Sequence, residues 1–236
     1  MQHTDEKNER ELDGRVQARA AELEALSTHL LRMVESERSE LAKQLHDELG
    51  GLITAAKMDM AWLSARIGQS LDVESTEKFN SVVQMLNQAM TLKRRVVENL
   101  RPSLLDHFGL SVAMRSHFEE QCRMAGIECV ATLPEESLEL DSTAQLTLFR
   151  VAQEVLGAII ARGGTRNVEI VIEPSDGGYS MVIGDDGSSM DTDLARAMPS
   201  VRHRVALSGG RIEAEARQGA GNRVTVYVPR SAAESA

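Results

Sequence analysis

The chain has 236 residues, room for one large or two small domains, and a formal net charge of −10. Its longest basic run is Lys93-Arg94-Arg95, so composition argues against nucleic acid as a direct partner. No apolar run approaches the ~18–20 residues that cross a bilayer, and no signal-peptide core opens the chain, so a soluble cytoplasmic protein without membrane insertion is expected.

Residues 1–11 are polar and are expected to fray. From Leu12 the apolar positions Leu12, Val16, Ala20, Leu23, Leu26, Leu30 and Met33 step by three or four. So narrow a stripe predicts a two-stranded coiled coil, a signalling helix over 1–36. It passes through Glu37 and resumes at Leu41, Leu45, Leu49 and Leu52, and the steps of four act as a stutter that locally unwinds the supercoil. The helix is predicted to run on through Ile53, Ala56, Met60, Leu63 and Ile67 to about Gly68, with Trp62 packing in the bundle. Gly50-Gly51 inside it costs roughly 1 kcal/mol per glycine relative to alanine, so a bend or close approach is expected there.

A polar link over 69–75 leads to a second helix, Thr76 to Leu100, striped by Phe79, Val82, Val83, Leu86, Met90, Val97 and Leu100. Pro102 stops it, because proline has no N–H to donate and restricts the residue before it. Two antiparallel helices bury too little alone; two copies make a four-helix bundle, so a homodimer is expected.

From Gly109 the pattern changes. Ser111–Ala125 reads as a helix, Ile127–Leu133 as a strand, and Asp141 caps a helix from Ser142 to Arg162. Val168–Glu173 and Tyr179–Gly184 alternate as strands around a turn at Ser175–Gly178. Val201–Ser208 reads as a helix, and Arg211–Glu215 pairs with Arg223–Pro229 through Gly219–Gly221. The fold class is α followed by α/β: a long helical hairpin with an N-terminal coiled coil, then one helix layer on one sheet.

The residue that carries chemistry is His46. An exposed imidazole can attack phosphorus, and the adjacent Asp47 can orient it or take its proton. Glu37-Arg38, Leu41-Ala42 and Leu45-His46-Asp47 resemble the phosphoacceptor helix of the nitrate-sensor-like subfamily of two-component histidine kinases. Leu100-Arg101-Pro102, Leu105-Asp106 and Gly109-Leu110 resemble the motif that closes the same domain. The resemblance implies a dimerisation and histidine phosphotransfer domain over 37–108, with His46 as phosphoacceptor and Asp47 as its orienting or general base. Lys43 and Arg101 could steer an acidic receiver, and Leu49, Leu52 and Ile53 divide between bundle core and receiver contact. Family members that dephosphorylate their partner place a Gln where this chain has Gly51, so phosphatase activity is expected to be weak or absent.

Residues 109–236 resemble the gyrase-like ATP-binding domain of these kinases, degenerate in its nucleotide site. Where the family holds magnesium with an Asn, this chain has Ala158, and a methyl group cannot coordinate a hard cation. Glu154, Asp185 and Gly187 remain as a vestigial site, Asp185 at the adenine-reading position, but Ser189 replaces a glycine of that turn. Ala197-Met198-Pro199-Ser200 stands where the family has a Gly-x-x-Gly turn, and the segment from Asp191 to Val201 is short for an ATP lid. No cofactor is expected, ATP and Mg²⁺ included.

Three functions stay open. The first is a dimeric histidine phosphotransferase, a pseudo-histidine-kinase exchanging a phosphoryl group between His46 and receiver aspartates of response regulators, loaded by an upstream hybrid kinase or sensor. The others are a sensor kinase that autophosphorylates His46 with ATP and a non-catalytic receiver-binding adaptor. His3, His29, His107, His117 and His203 show no metal-like spacing, and Cys122 and Cys129 read as free thiols, so no metal site is expected.

Overall fold

A computed structural model describes residues 2–67, 70–188, 199–217 and 221–230. The chain divides into two compact units, Arg32–Ser103 and a second made of Met1–Leu31 with Leu104–Ala236.

The first helix, α1, spans Gln2–Gln44, so it starts well before Leu12 and includes the residues expected to fray. A π-helical turn, Leu45–Leu49, joins it to α2 (Gly50–Ile67). After the link comes α3 (Val73–Leu100). It starts three residues before the expected Thr76, because Asp72 caps it by accepting the Ser75 N–H at 2.7 Å. At its end the Arg101 backbone is extended, as a residue before proline prefers, and the Arg101 guanidinium donates to Ser39 Oγ at 2.9 Å. Neither α2 nor α3 buries a single residue by itself. Leu52, Met58 and Met85 stand open to solvent, as do Val16, Leu23, Leu26 and Leu30 of α1. Trp62 is also exposed in this chain, with the Arg66 guanidinium 5.1 Å above its ring.

Helix α4 (Ser103–Ala125) begins eight residues before the expected Ser111 and is kinked where Gly109 takes φ 79°. Strand β1 (Glu128–Thr132) follows, then α5 (Ser142–Arg162), β2 (Asn167–Ser175), β3 (Gly178–Asp185), α6 (Pro199–Leu207), β4 (Arg211–Arg217) and β5 (Gly221–Pro229). The sheet order is β1-β2-β3-β5-β4; β1 and β2 run parallel and the other pairs antiparallel.

Alternation along each strand sends Val168, Ile170 and Ile172, Met181 and Ile183, and Val224, Val226 and Val228 to one face. That face meets Leu110, Met114 and Phe118 of α4, Leu148, Val151 and Leu156 of α5, and Val201 and Val205 of α6, all buried. Cys122 belongs to this core, and both cysteines are free. One described helix, α5, is long and apolar enough to cross a bilayer by length and composition, although Arg150 and Glu154 interrupt its apolar run. Most of its apolar side chains are buried in this core.

Candidate functional site

His46 and Asp47 lie in the π turn, both exposed. In an α-helix the Gly50 N–H would donate to the His46 carbonyl; here it donates to the Asp47 carbonyl. The His46 carbonyl instead receives Lys93 Nζ from α3, at 3.4 Å. Lys43 is exposed, while Arg101 is held at Ser39 rather than standing ready to steer a partner. No hydrogen bond joins the His46 ring to Asp47 among the described residues. Successive side chains on a helix point in different directions, so Asp47 reaches the ring only after a rotamer change.

The second group of predicted residues gathers between α5 and the end of β3. Glu154, Ala158 and Arg162 recur every fourth residue and so share one face of α5. Glu154 accepts the Ser200 hydroxyl at 2.6 Å, which fastens the start of α6. Asp185 is buried, and its bonds concentrate on one oxygen, Oδ1. The carboxylate accepts Arg162 Nη2 at 2.5 Å, the Gly187 N–H at 2.8 Å, and Asn222 Nδ2 at 3.1 Å and 3.3 Å on its two oxygens. A Cβ placed on Gly187 would meet Thr165 Oγ1 at 2.5 Å and Arg162 Nη2 at 2.8 Å, so the space beside this glycine is filled by protein.

Asp186, next in sequence, does a different job. Its carboxylate takes the Asn167 N–H at 2.9 Å, Asn167 Nδ2 at 2.7 Å and the Arg166 N–H at 2.8 Å, pinning the start of β2. Those bonds, chiefly the Asn167 amide, hold its pKa down at about 2. Among the described residues no group of His, Cys, Asp and Glu is arranged to hold a metal ion. Ser189, Asp191, Ala197 and Met198, expected at the altered turns and the short lid segment, lie outside the described residues, as do Gly68 and Gly219.

Residues 37–105 match the family model HisKA_3, described as histidine kinase. The signal transduction histidine-protein kinase/phosphatase UhpB of Salmonella typhimurium is 29% identical over 226 residues, 94% of this chain and 44% of that protein. Residues 37–105 thus form a HisKA_3 histidine-kinase domain, and the chain is similar to a histidine kinase over most of its length. The sensor histidine kinase MctS of Rhizobium johnstonii is 27% identical over 172 residues, 72% of this chain and 36% of that protein. The chain thus spans less than half the length of either relative. The histidine kinase domain of the Erythrobacter litoralis blue-light activated histidine kinase shares its fold, with a TM-score of 0.50, 14% identity, and 75% and 94% of the two chains covered. Helices followed by an α/β sheet domain are therefore the architecture of a histidine-kinase core.

Two residues of this chain went unrecognised in its sequence. Arg162 reads as an ordinary basic residue in a last helical turn, where the dipole welcomes a cation. Lys93 reads as part of a basic run, yet it occupies the stripe position between Met90 and Val97 on α3. A charge at an apolar position was the available signal.

Proposed function

We propose that this protein is a dimeric, cytoplasmic histidine phosphotransferase, a histidine-kinase scaffold that exchanges a phosphoryl group between His46 and receiver aspartates. The observation that carries this reading is the ion pair with Arg162 that occupies Asp185. Its Oδ1 is taken by Arg162, Gly187 and Asn222, Oδ2 has a 3.3 Å contact from Asn222, and the space beside Gly187 is filled. Ala158 supplies no oxygen on the same helix face. The residues present do not fit a magnesium nucleotide.

Transfer between proteins asks less of this chain. A receiver brings its own Mg²⁺ and acidic pocket, so only a presented imidazole is needed. A ring nitrogen of His46 attacks phosphorus in line, the acyl-phosphate P–O bond breaks as the P–N bond forms, and the receiver carboxylate departs with the electron pair. Asp47, once rotated towards the ring, accepts the hydrogen of the other nitrogen and stabilises the positive charge that develops there. Gly51 offers no side chain to place a water, so hydrolysis of the receiver's acyl phosphate is not accelerated and the phosphoryl group leaves the receiver by transfer to His46. The apolar residues that α1, α2 and α3 leave exposed support a second copy as the bundle partner.

One observation favours a second reading, the sensor kinase: the curated relatives are named as histidine kinases. Labelling decides between them. Purified protein is given γ-labelled ATP with Mg²⁺ or, separately, a labelled phospho-receiver, with His46→Gln as control. Label on His46 from the receiver alone is expected. Label from ATP, or micromolar affinity for Mg²⁺-ATP, overturns the proposal in favour of the kinase, and no label from either source leaves a receiver-binding adaptor.

A further inference from the structure

Lys93 sits where a hydrophobic side chain belongs. The stripe of α3 runs through Phe79, Val83, Leu86, Met90, Val97 and Leu100, and position 93 falls in register between Met90 and Val97. The residue is half-buried, and among the described residues its ammonium meets no carboxylate. Its one hydrogen bond goes to the carbonyl of His46. The path to that carbonyl crosses Gly50: a Cβ there would lie 2.8 Å from Lys93 Nζ and 3.9 Å from its Cε. Glycine at 50 leaves the lane open.

The bond matters because of where the backbone is irregular. π-helical turns are rare and recur at functional sites. This one turns the Gly50 N–H, the α-helical partner of the His46 carbonyl, to Asp47 instead, and the Lys93 ammonium stands on the His46 carbonyl. A cation on that carbonyl offsets the loss and keeps the turn. The turn in turn fixes the direction in which the His46 ring leaves the helix.

We infer that Lys93 is a positioning residue for His46: its ammonium, reaching through the gap at Gly50, holds the π turn that presents the imidazole. This rests on His46 being the phosphoacceptor. Lys93→Met is the discriminating variant, because it keeps the methylene stem, suits the apolar stripe and removes the charge. With phosphoramidate as a small phosphodonor to the full chain, the saturating rate of His46 phosphorylation is expected to fall about tenfold or more, with the KM for phosphoramidate little changed. The melting temperature is not expected to fall, the backbone chemical shifts of residues 45–51 move towards regular α-helix, and Lys93→Arg restores both rate and shifts. Gly50→Ala, which closes the lane with Lys93 in place, reproduces the defect. An unchanged rate in Lys93→Met, or unchanged shifts at 45–51, overturns the inference while leaving His46 as acceptor. A wild-type chain that takes no phosphoryl group from phosphoramidate or from a phospho-receiver removes the acceptor itself, and the role of Lys93 with it.

Discussion

The ion pair between Arg162 and Asp185 is asymmetric, and stability measurements should reveal it. Removing one partner of a buried pair costs about 3–5 kcal/mol when the other charge is left unpaired. Asp185 would not be left so: without Arg162 it keeps the Gly187 N–H and both contacts from Asn222. Arg162 also carries a cost of its own, since its Nε and Nη1 are buried without an acceptor and its side chain is 19% exposed. Arg162→Gln is therefore expected to cost only about 2 kcal/mol. Asp185→Asn is worse. It strips the charge that balances the guanidinium, leaving it a neutral amide oxygen and a long 3.5 Å contact to Thr165 Oγ1, so about 4 kcal/mol is expected. In urea at neutral pH, with a slope of about 2 kcal/mol per molar, the midpoint drops by about 1 M for the first variant and about 2 M for the second. The double variant should cost less than the sum of the two. Equal losses, the reverse order, or strict additivity would refute the view that Arg162 serves Asp185 rather than the other way round.

Acid should weaken the sheet domain through His117. Burial against Phe149, with Arg150 adding in the same direction and Glu120 opposing, lowers its pKa from 6.5 to about 4. A depressed histidine favours the neutral ring in the fold, so the full stability is present above pH 6.5 and is lost as pH falls towards 4. At about 1.4 kcal/mol per pH unit the loss approaches about 3 kcal/mol. A pH series of urea melts should show this slope in the wild type and a flatter one in His117→Gln; identical slopes would assign it elsewhere. The paired glycines separate in the same kind of assay. Gly51→Ala, with nothing within 4 Å of its new Cβ, should stabilise α2 by about 1 kcal/mol, whereas Gly50→Ala gains less because its Cβ displaces Lys93. An equal gain at both positions would count against the Lys93 contact.

Much of this was written locally. Helix α5 has the bounds its sequence gives, Ser142–Arg162, because Asp141 caps it through the Ala144 N–H and Gly163 ends it. The alternation Val168, Ile170, Ile172 marks both a strand and its buried face before any partner is known. His46 was legible for the same reason: its neighbours along one helix carry the motif. Boundaries slipped where a cap was overlooked, at Asp72, or where a glycine kink joined two segments, at Gly109. What tertiary structure alone decided is who meets whom. Arg162 and Asp185 are 23 residues apart on different elements, and only the packing of α5 beside the end of β3 makes one the partner of the other. Lys93 and His46 are 47 apart, and their bond needs both the antiparallel pairing of two helices and a missing Cβ at Gly50. Periodicity and caps are short-range properties that a chain carries with it. The partner of a charge depends on distances that exist only once the elements have packed.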